Sequence, residues 1–220
     1  MRYNIKGTEI RSENAAKPAS DAAAYLVDWL YHRERTRCAL DYGCGKLRYT
    51  HHLARRIKHI GIVDSDVQLT RIQQIDGQQT SVAEYAKGHF ASLTLQSLPN
   101  FWRKPARRFE FILCANVLSA IPSITVRAKS LRAIRVCLEP GGRILFVNQH
   151  TNSYFTEVRN RPTTRPHLDG WIAKSKAGAS YYGILSKDLV ITLLVRFGFR
   201  VEEAWVEGQS NYVLVSGGTI

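Results

Sequence analysis

A glycine turn between two acidic side chains is the part of this sequence best suited to hold a charged ligand. Gly43 and Gly45 follow an apolar run at 37–42 and precede a helix-like stretch, and Asp41 stands just before the first glycine. Glycine permits a sharp turn and lets a ligand approach the backbone closely. Asp64 closes the next apolar run, where a carboxylate can accept hydrogen bonds from both hydroxyls of a ribose. The pattern predicts a site for a nucleoside cofactor.

The residues around the turn favour one class of nucleoside cofactor. The dinucleotide fingerprint G-x-G-x-x-G needs a third glycine at position 48, where this chain has Arg48. The Asp41 carboxylate opposes a bound phosphate but attracts an ammonium and a nearby sulfonium. These charges fit S-adenosylmethionine (SAM) better than NAD. Taken alone, a Gly-x-Gly turn also fits a plain strand-to-helix connection. Asp64 also fits a helix cap, although Ser65 or Asp66 could take that role instead.

The elements that position these residues alternate along the chain. Strands are predicted at 37–42, 59–64, 90–98, 109–115, 143–149, 200–207 and 211–217. Helices are predicted at 20–34, 47–58, 66–75, 123–139 and 186–197, with Ser20 or Asp21 capping the first and Ser186 the last. Strands that alternate with helices indicate a parallel sheet covered on both faces, and the last two strands read as an antiparallel pair.

Four segments of the chain resemble the class I SAM-dependent methyltransferases. They are "LDYGCG" with the "VD" after it, "FEFILCANVLSAIP", "LEPGGRILFVNQ" and "LVRFGFRVEEAW". The resemblance covers roughly residues 20–148 and 186–215. It implies a Rossmann-like three-layer α/β sandwich with a mostly parallel seven-stranded sheet and an antiparallel last strand. It also implies SAM as the cofactor and transfer of its methyl group to an acceptor.

The resemblance also implies a set of cofactor-binding residues. Asp41, Gly43 and Gly45 would line the methionine end, Asp64 would bind the ribose, and Asn116 would lie beside the cofactor unless it is only a turn residue. The full predicted set is Asp41, Tyr42, Gly43, Cys44, Gly45, Asp64 and Asn116. The chain departs from the family at Leu47, where a third glycine is frequent. It also departs at Gln96 and Ser97, near which the family often has an acid beside the adenine.

The sequence assigns no catalytic residue and no acceptor. Methyl transfer from a sulfonium mainly needs alignment of the reacting atoms, and a base only if the acceptor carries a proton of high pKa. The segment "ANVLSA" lacks the Asn/Asp-Pro-Pro-Tyr/Phe motif of amino methylation of bases, and Cys114 lies within a predicted strand rather than after a proline. The segment "NVLSAIP" is more similar to the small-molecule and tRNA-wobble branches of the family.

Two further segments are predicted to cover the site within a single domain at 1–220. The N-terminal segment 1–19 is polar, and the insert 149–185 is long for a connection, which is typical of lids and binding loops. The insert supplies acceptor-contact candidates, each of which also fits a plain loop or packing role: His150, Tyr154, His167, Trp171, Tyr181 and Tyr182. Arg159, Arg161 and Arg165 could hold an anion or lie in solvent.

The charge of the chain leaves the acceptor class open. Lys and Arg number 31 against 18 Asp and Glu, a net charge of +13. The segments 101–109 and 127–135 form two basic clusters, and the second contains Arg127, Lys129, Arg132 and Arg135. At helical spacing, positions 127, 131, 134 and 138 would face partly inward, and the other face would be a solvated basic stripe. A small-molecule acceptor is the first hypothesis, a nucleic-acid acceptor the second, and SAM binding without turnover the third. The oligomeric state is not predicted.

The cellular setting follows from what the sequence lacks. The four cysteines have no metal-binding spacing, so no metal site is predicted and the thiols are expected to be reduced. The longest apolar run, at 189–195, is too short to cross a bilayer, and the N-terminal stretch has no secretory signal. We therefore expect a cytoplasmic protein without a membrane partner.

Overall fold

The computed structural model describes residues 1–150, 153–175 and 178–218, with the side chains of residues 153 and 154 outside that description. Its strands, in chain order, are β1 Arg2–Ile5, β2 Thr8–Arg11, β3 Cys38–Tyr42, β4 His59–Asp64, β5 Gln73–Ile75, β6 Gln78–Thr80, β7 Leu93–Ser97, β8 Phe109–Ala115, β9 Leu138–Gln149, β10 Arg165–His167, β11 Gly170–Ser175, β12 Gly178–Gly183, β13 Phe199–Glu207 and β14 Ser210–Gly217. Its α-helices are α1 Ala24–His32, α2 Thr50–Ala54, α3 Asp66–Thr70, α4 Val82–His89, α5 Leu98–Arg103, α6 Ile124–Val136, α7 Ser153–Arg159 and α8 Lys187–Arg196.

The main sheet has seven strands in the order β13-β14-β9-β8-β3-β4-β7. The five strands from β9 to β7 are parallel to their neighbours, and β14 is antiparallel to both β9 and β13. The predicted Rossmann-like sheet with an antiparallel last strand is therefore confirmed. Because β3, β4 and β8 are parallel, the segments that follow them meet at one edge of the sheet.

The strands are apolar without alternation because both faces of the sheet are covered. Successive residues point to opposite faces, so Leu40 lies in the core under α5, α6 and α8, while Ala39 lies in the core under α1, α2 and α4. Phe146 and Leu145 divide in the same way on β9. The two cores hold the sheet rigid, and its carboxyl edge is a fixed platform for a site.

A second sheet lies apart from the main one, in the order β1-β2-β12-β11-β10. The first 19 residues show no period, but β1 and β2 form a hairpin whose turn has two left-handed residues, Lys6 and Gly7. This hairpin joins the insert through a parallel pairing of Ile10 with Ala179, and a small apolar core forms around Ile10 and Tyr181. The N-terminal segment and the insert therefore fold into one sheet.

Several predicted helices are shorter in the structure. Helix α1 begins after Ala23, which has no side-chain cap bond, so the predicted caps Ser20 and Asp21 are wrong. Both lie in a separate 3-10 turn at 19–21. Helix α2 has only five residues, and the helix predicted to reach residue 75 ends at Thr70, before the β5–β6 hairpin.

Other boundaries agree with the sequence, and three helices were missed. Ser65 caps α3 by accepting from the Gln68 amide, and Ser186 caps α8 by accepting from the Leu189 amide, at 3.4 and 3.2 Å. Helices α4, α5 and α7 were not predicted. Within the described ranges no helix is long and apolar enough to cross a membrane. Across the same ranges the structure shows no group of three His, Cys, Asp or Glu side chains that could hold a metal.

Candidate functional site

The loop between β3 and α2 is a sharp turn with left-handed backbone at Gly43 and Gly45, whose φ angles are 77° and 57°. The amides of Gly43 and Cys44 both donate to the Val63 carbonyl, which ties the loop to the end of β4. A Cβ atom at Gly43 would overlap the Val117 side chain. Glycine is needed here both for the backbone conformation and for the close approach of Val117.

Asp64 closes the other side of the turn. Its carboxylate accepts from the Gly45 amide at 2.9 Å and from the Ser65 amide at 2.7 Å. The Gln68 side chain also holds the turn, because it donates to the Gly45 carbonyl at 2.7 Å. Burial raises the pKa of Asp64, and the two amide bonds partly offset that rise. A carboxylate offers about four acceptor sites, so about two remain for the hydroxyls of a diol.

Asp41, at the end of β3, is only 3% exposed. Burial raises the pKa of its carboxyl to about 7, the hydrogen bond from Thr50 at 2.6 Å lowers it, and the Asp64 carboxylate raises it further. In the described part of the chain, neither acid has an ion pair with a side chain within 4.0 Å. The Met1 amino group, which donates to Ser65, partly offsets the rise that burial causes in the pKa of Asp64. Two acids that line the same space favour the binding of a further cation there.

Leu47 stands where the family often has glycine, and the structure accounts for it. Its φ of 62° is left-handed, yet its side chain is fully buried in the core beneath α2. A left-handed non-glycine residue costs on the order of 1–2 kcal/mol. Burial of a leucine side chain contributes about 2–3 kcal/mol. Burial therefore outweighs strain, and the turn keeps its shape without a third glycine.

Asn116 follows β8 and combines the two roles that the sequence left open. Its backbone is left-handed, with a φ of 59°, and its amide donates to the Val147 carbonyl at 2.7 Å. Its side-chain oxygen accepts from the Gln149 amide at 3.0 Å. Asn116 is thus a turn residue that joins β8 to β9, and it also lies on the wall of the crevice.

These residues surround one crevice at the carboxyl edge of the sheet. All seven members of the predicted set lie on its wall, namely Asp41, Tyr42, Gly43, Cys44, Gly45, Asp64 and Asn116. Tyr42 and Cys44 are buried in opposite cores, and burial raises the pKa of the Cys44 thiol, which keeps it protonated. Their assignment to cofactor binding stays a prediction that this geometry permits.

The other wall of the crevice is the N-terminal segment, whose residues show no local pattern in the sequence that indicates this role. Its contributions are Met1, Tyr3, Ser12, Glu13 and residues 15–17. Arg48 and Tyr49 also line the crevice and were not predicted to do so. Arg48 and Lys17 bring positive charge to the wall of the crevice.

Buried Glu13 fixes the N-terminal segment over the site. It accepts from the Arg2 guanidinium at 3.1 Å and from the Met1 amino group at 3.2 Å, and Arg71 donates to its carbonyl. Burial raises the pKa of Glu13, but its hydrogen bonds outweigh burial and leave the pKa below its ordinary value. The Met1 amino group also donates to Ser65, beside Asp64, so the segment is tied to the wall that it faces.

Arg127 lies on the inward-facing side of α6 with residues 131 and 134, as its helical spacing predicts, and not on the solvated basic face. Its guanidinium is buried, 2.9 Å from the Asp169 carboxylate, and it donates to the Ile121 carbonyl and to the Tyr181 hydroxyl. Tyr181 also donates to Asp169 at 2.8 Å. This network joins α6 to the insert, while Lys129 and Arg132 are exposed as expected.

The described residues of the insert do not line the crevice, and the expected role of the insert as a lid stays a prediction. The candidates instead make internal contacts: His167 with the Pro122 carbonyl, Trp171 under the Arg159 guanidinium, Tyr182 against the Phe155 ring, Tyr181 with Arg127, and the His150 amide with the Gln209 carbonyl. Arg161 and Arg165 are also engaged, with Glu157 and the Ile5 carbonyl. The side chain of Tyr154 lies outside the described residues. The insert supports the N-terminal hairpin from behind.

Gln96 is not available to an adenine ring. Its amide accepts from the Ala106 amide at 2.8 Å and donates to the Lys104 carbonyl at 3.1 Å. It therefore braces the loop after α5 instead of facing the site. Leu98, two residues later, lies on the crevice wall, so an apolar side chain stands where the family often has a polar contact.

Comparison with known proteins gives matches over nearly the whole chain. A family model described as a methyltransferase domain matches residues 11–203. The uncharacterized protein YmfD of Escherichia coli (strain K12) is 36% identical over 215 residues, which cover 98% of this chain and 96% of YmfD. That similarity extends through both the N-terminal hairpin and the insert.

Similar solved structures include two N-methyltransferases. The 1,6-didemethyltoxoflavin-N1-methyltransferase of Burkholderia thailandensis, with its substrate and S-adenosylhomocysteine bound, is 15% identical with a TM-score of 0.63, covering 91% of this chain and 80% of that one. NodS of Bradyrhizobium japonicum WM9, with S-adenosylhomocysteine, is 16% identical with a TM-score of 0.57, covering 87% and 83%. At these identities the likeness establishes the shared fold.

Proposed function

This chain belongs to the methyltransferase-domain family, and from that premise we propose that it transfers a methyl group from SAM to a small-molecule acceptor held beneath the N-terminal segment. The family match and the fold confirm the class I resemblance that the sequence carries. S-adenosylhomocysteine is the ligand of both neighbours described above. The identity of the acceptor is the proposed part of this function.

The observation that carries the proposal is the pair of acids beside the glycine turn, of which Asp41 is buried and Asp64 is half-buried. SAM has an ammonium, a sulfonium and a ribose diol, and Asp41 and Asp64 offer acceptors for such groups without a competing side-chain ion pair. Arg48 and Lys17, on the same crevice, could neutralise a carboxylate. The residues present therefore fit the cofactor.

The chain's own contribution to the chemistry is alignment and exclusion of water. When bound, SAM supplies an electrophilic methyl group on sulfur. Val117, Ala120 and Ile121 form an apolar wall, and Glu13 holds the N-terminal segment over it, so water is kept from the reacting atoms. The pKa of Tyr3 is raised, mainly because the residue is buried, so its hydroxyl stays protonated. This hydroxyl can donate a hydrogen bond to an acceptor, but it cannot deprotonate the acceptor. Because Tyr3 cannot remove a proton, we expect an acceptor whose attacking atom is nucleophilic without deprotonation.

The test is calorimetric titration of SAM together with a screen of acceptors for release of S-adenosylhomocysteine. We expect SAM to bind the wild-type chain, and Asp64→Ala to weaken binding by about 1–3 kcal/mol because hydrogen bonds to a charged group are lost. The exposed acid Asp188 gives a matched control, since Asp188→Ala removes a carboxylate far from the crevice. Unchanged affinity in folded Asp64→Ala would reject the ribose role. SAM binding without turnover on any acceptor would favour a SAM-binding protein that lacks turnover.

A nucleic-acid acceptor is the second candidate, supported by one surface feature. Arg103, Lys104, Arg107 and Arg108 are exposed after α5, and none of them has an ion pair in the described part of the chain. We expect such a surface to give RNA affinity that falls steeply with salt. Absence of salt-dependent binding to labelled RNA would remove this candidate.

We also propose a cytoplasmic location, which the four free, buried cysteines support.

A further inference from the structure

A second concave surface lies on the opposite side of α6 from the sheet's core. Helices α6 and α8 and the insert border a groove of about 930 Å³. Three large apolar side chains are exposed on it: Ile124 at 68%, Leu168 at 46% and Leu189 at 42%. Leu193 and Phe197 are half-buried and continue the apolar surface along α8. Single exposed apolar residues are ordinary, but several on one concave surface indicate a binding site.

The rim of the groove is basic and is not neutralised by the chain itself. Arg132, Arg135 and Arg196 line it, and in the described ranges none of the three has a carboxylate within 4.0 Å. Asp169 is the one acid among the lining residues, and it is paired with Arg127. Charges of one sign around an apolar surface select a partner of the opposite sign.

The arginines are held in place on this rim. The Arg132 guanidinium lies 5.6 Å from the centre of the Phe197 ring, in a cation–π contact. Arg135 packs against Gly198, where an added Cβ would lie 2.9 Å from its guanidinium. The Arg135 guanidinium therefore lies at the carboxyl end of α8, where the helix dipole attracts a positive charge. Arg196 is the last residue of α8 and has the same favourable position, and both Arg132 and Arg196 are exposed.

We propose that this groove docks an amphipathic helix of a partner protein whose flanks carry Asp and Glu. Helices α6 and α8 have 13 and 10 residues, which at about 1.5 Å per residue gives a groove about 15–20 Å long. Three to four turns of helix would fill that length, with apolar residues at i, i+3, i+4 and i+7 on the floor and acids against the arginines. A second copy fits poorly, because each copy carries +13 and presents the same basic rim.

The groove also has a physical connection to the crevice, although the proposal does not depend on methyl transfer. Arg127 lines the groove, and its guanidinium donates to the Ile121 carbonyl, while Ile121 lines the crevice. Leu168 of the groove is adjacent to Asp169, which pairs with Arg127. A docked helix would therefore rest on the ion pair that joins α6 to the insert.

The test is selection of a displayed library of helical peptides about 16 residues long, with randomised side chains, on the wild-type chain. Affinities of selected peptides are then measured by fluorescence anisotropy against two groove variants. We expect enrichment of Asp and Glu around a helical apolar spacing, and affinity about tenfold or more weaker for Arg132→Glu/Arg196→Glu and for Leu189→Ser. The altered side chains are exposed, and circular dichroism checks the fold of each variant.

Matched controls separate the groove from the overall charge. Arg55→Glu/Lys58→Glu makes the same charge change at the end of α2 and in the loop after it, on the other side of the sheet. Val195→Ser removes another exposed apolar residue of α8 that lies outside the groove. Both controls should bind the peptides within about twofold of wild type. Equal binding by groove variants and controls, or selected peptides without acidic enrichment, would overturn the proposal.

Two other occupants would also overturn it. Sedimentation of a dimer that Leu189→Ser dissociates would assign the groove to a second copy. Binding to phosphatidylglycerol vesicles that Arg132→Glu/Arg196→Glu abolishes, with no peptide selected, would assign it to a lipid surface.

Discussion

The two walls of the crevice are built in different ways. The cofactor wall consists of short segments that follow β3, β4 and β8, each next in sequence to the strand that positions it. The opposite wall is the N-terminal hairpin, which is held in place by residues far along the chain, such as Ala179 against Ile10. The first wall is therefore local and tied to a rigid sheet, whereas the second depends on long-range contacts that can be removed separately.

The largest loss of stability is expected when the contacts that support the second wall are removed. Asp169→Ala leaves the buried Arg127 guanidinium without its acid, and we expect the free energy of unfolding in urea to fall by about 3 kcal/mol. SAM affinity should change little, because Asp41 and Asp64 are held by the main sheet. The double variant Arg127→Met/Asp169→Leu should recover most of the stability, since it removes both charges. A loss of SAM affinity as large as the loss of stability would contradict the separation of the two walls.

A second prediction concerns the strained leucine of the cofactor wall. We expect Leu47→Ala to lower the free energy of unfolding by about 3 kcal/mol, because burial is lost while the left-handed backbone remains. Leu47→Gly should be less destabilising than Leu47→Ala, since glycine adopts a positive φ without strain. Urea unfolding of both variants measures the difference. The reverse order would show that the backbone at Leu47 is not strained.

The pH dependence of stability tests the acid pair. The folded pKa of Asp41 is about 7 against an ordinary value of 3.8, so the folded state holds a proton that the unfolded state releases between these values. The free energy of unfolding should therefore fall as pH rises from 4 to 7, by about 3 kcal/mol from this group. Asp41→Asn should lose that part of the slope.

The same group gives the opposite dependence for ligand binding. SAM affinity should rise through about pH 7 as the Asp41 carboxyl ionises and can attract a cation. Calorimetric titrations at pH 6 and pH 8, with wild type and Asp41→Asn, measure this change. Affinity that is independent of pH in the wild type would mean that the cation lies elsewhere.

The smallest expected effect lies outside both walls. Ser186→Ala removes the oxygen that accepts from the Leu189 amide at the start of α8. We expect a loss of about 1 kcal/mol in the free energy of unfolding and no change in SAM affinity. A change in SAM affinity here would show that the cofactor wall is less independent of α8 than its contacts indicate.

The sequence alone determined the sheet and the cofactor wall. Asp41, Gly43, Gly45, Asp64 and Asn116 could be found because each lies at the end of a buried strand or just after it, and parallel strands bring their carboxyl ends to one edge. The parallel sheet also followed from the alternation of strands with helices. The short helices α2 and α3 could not be bounded, because within five residues the pattern has too few periods to show where a helix ends.

Only the tertiary structure decided what faces that wall. The hairpin at 2–11 has no helical or alternating pattern that distinguishes it, and its partner strand β12 lies in the insert. Arg127 reads as one basic residue among several on a helix, yet Asp169 and Tyr181 bury it. Local patterns record which residues are neighbours along a strand or helix. The pairing of distant segments depends on packing and charge compensation that appear only when the chain is folded.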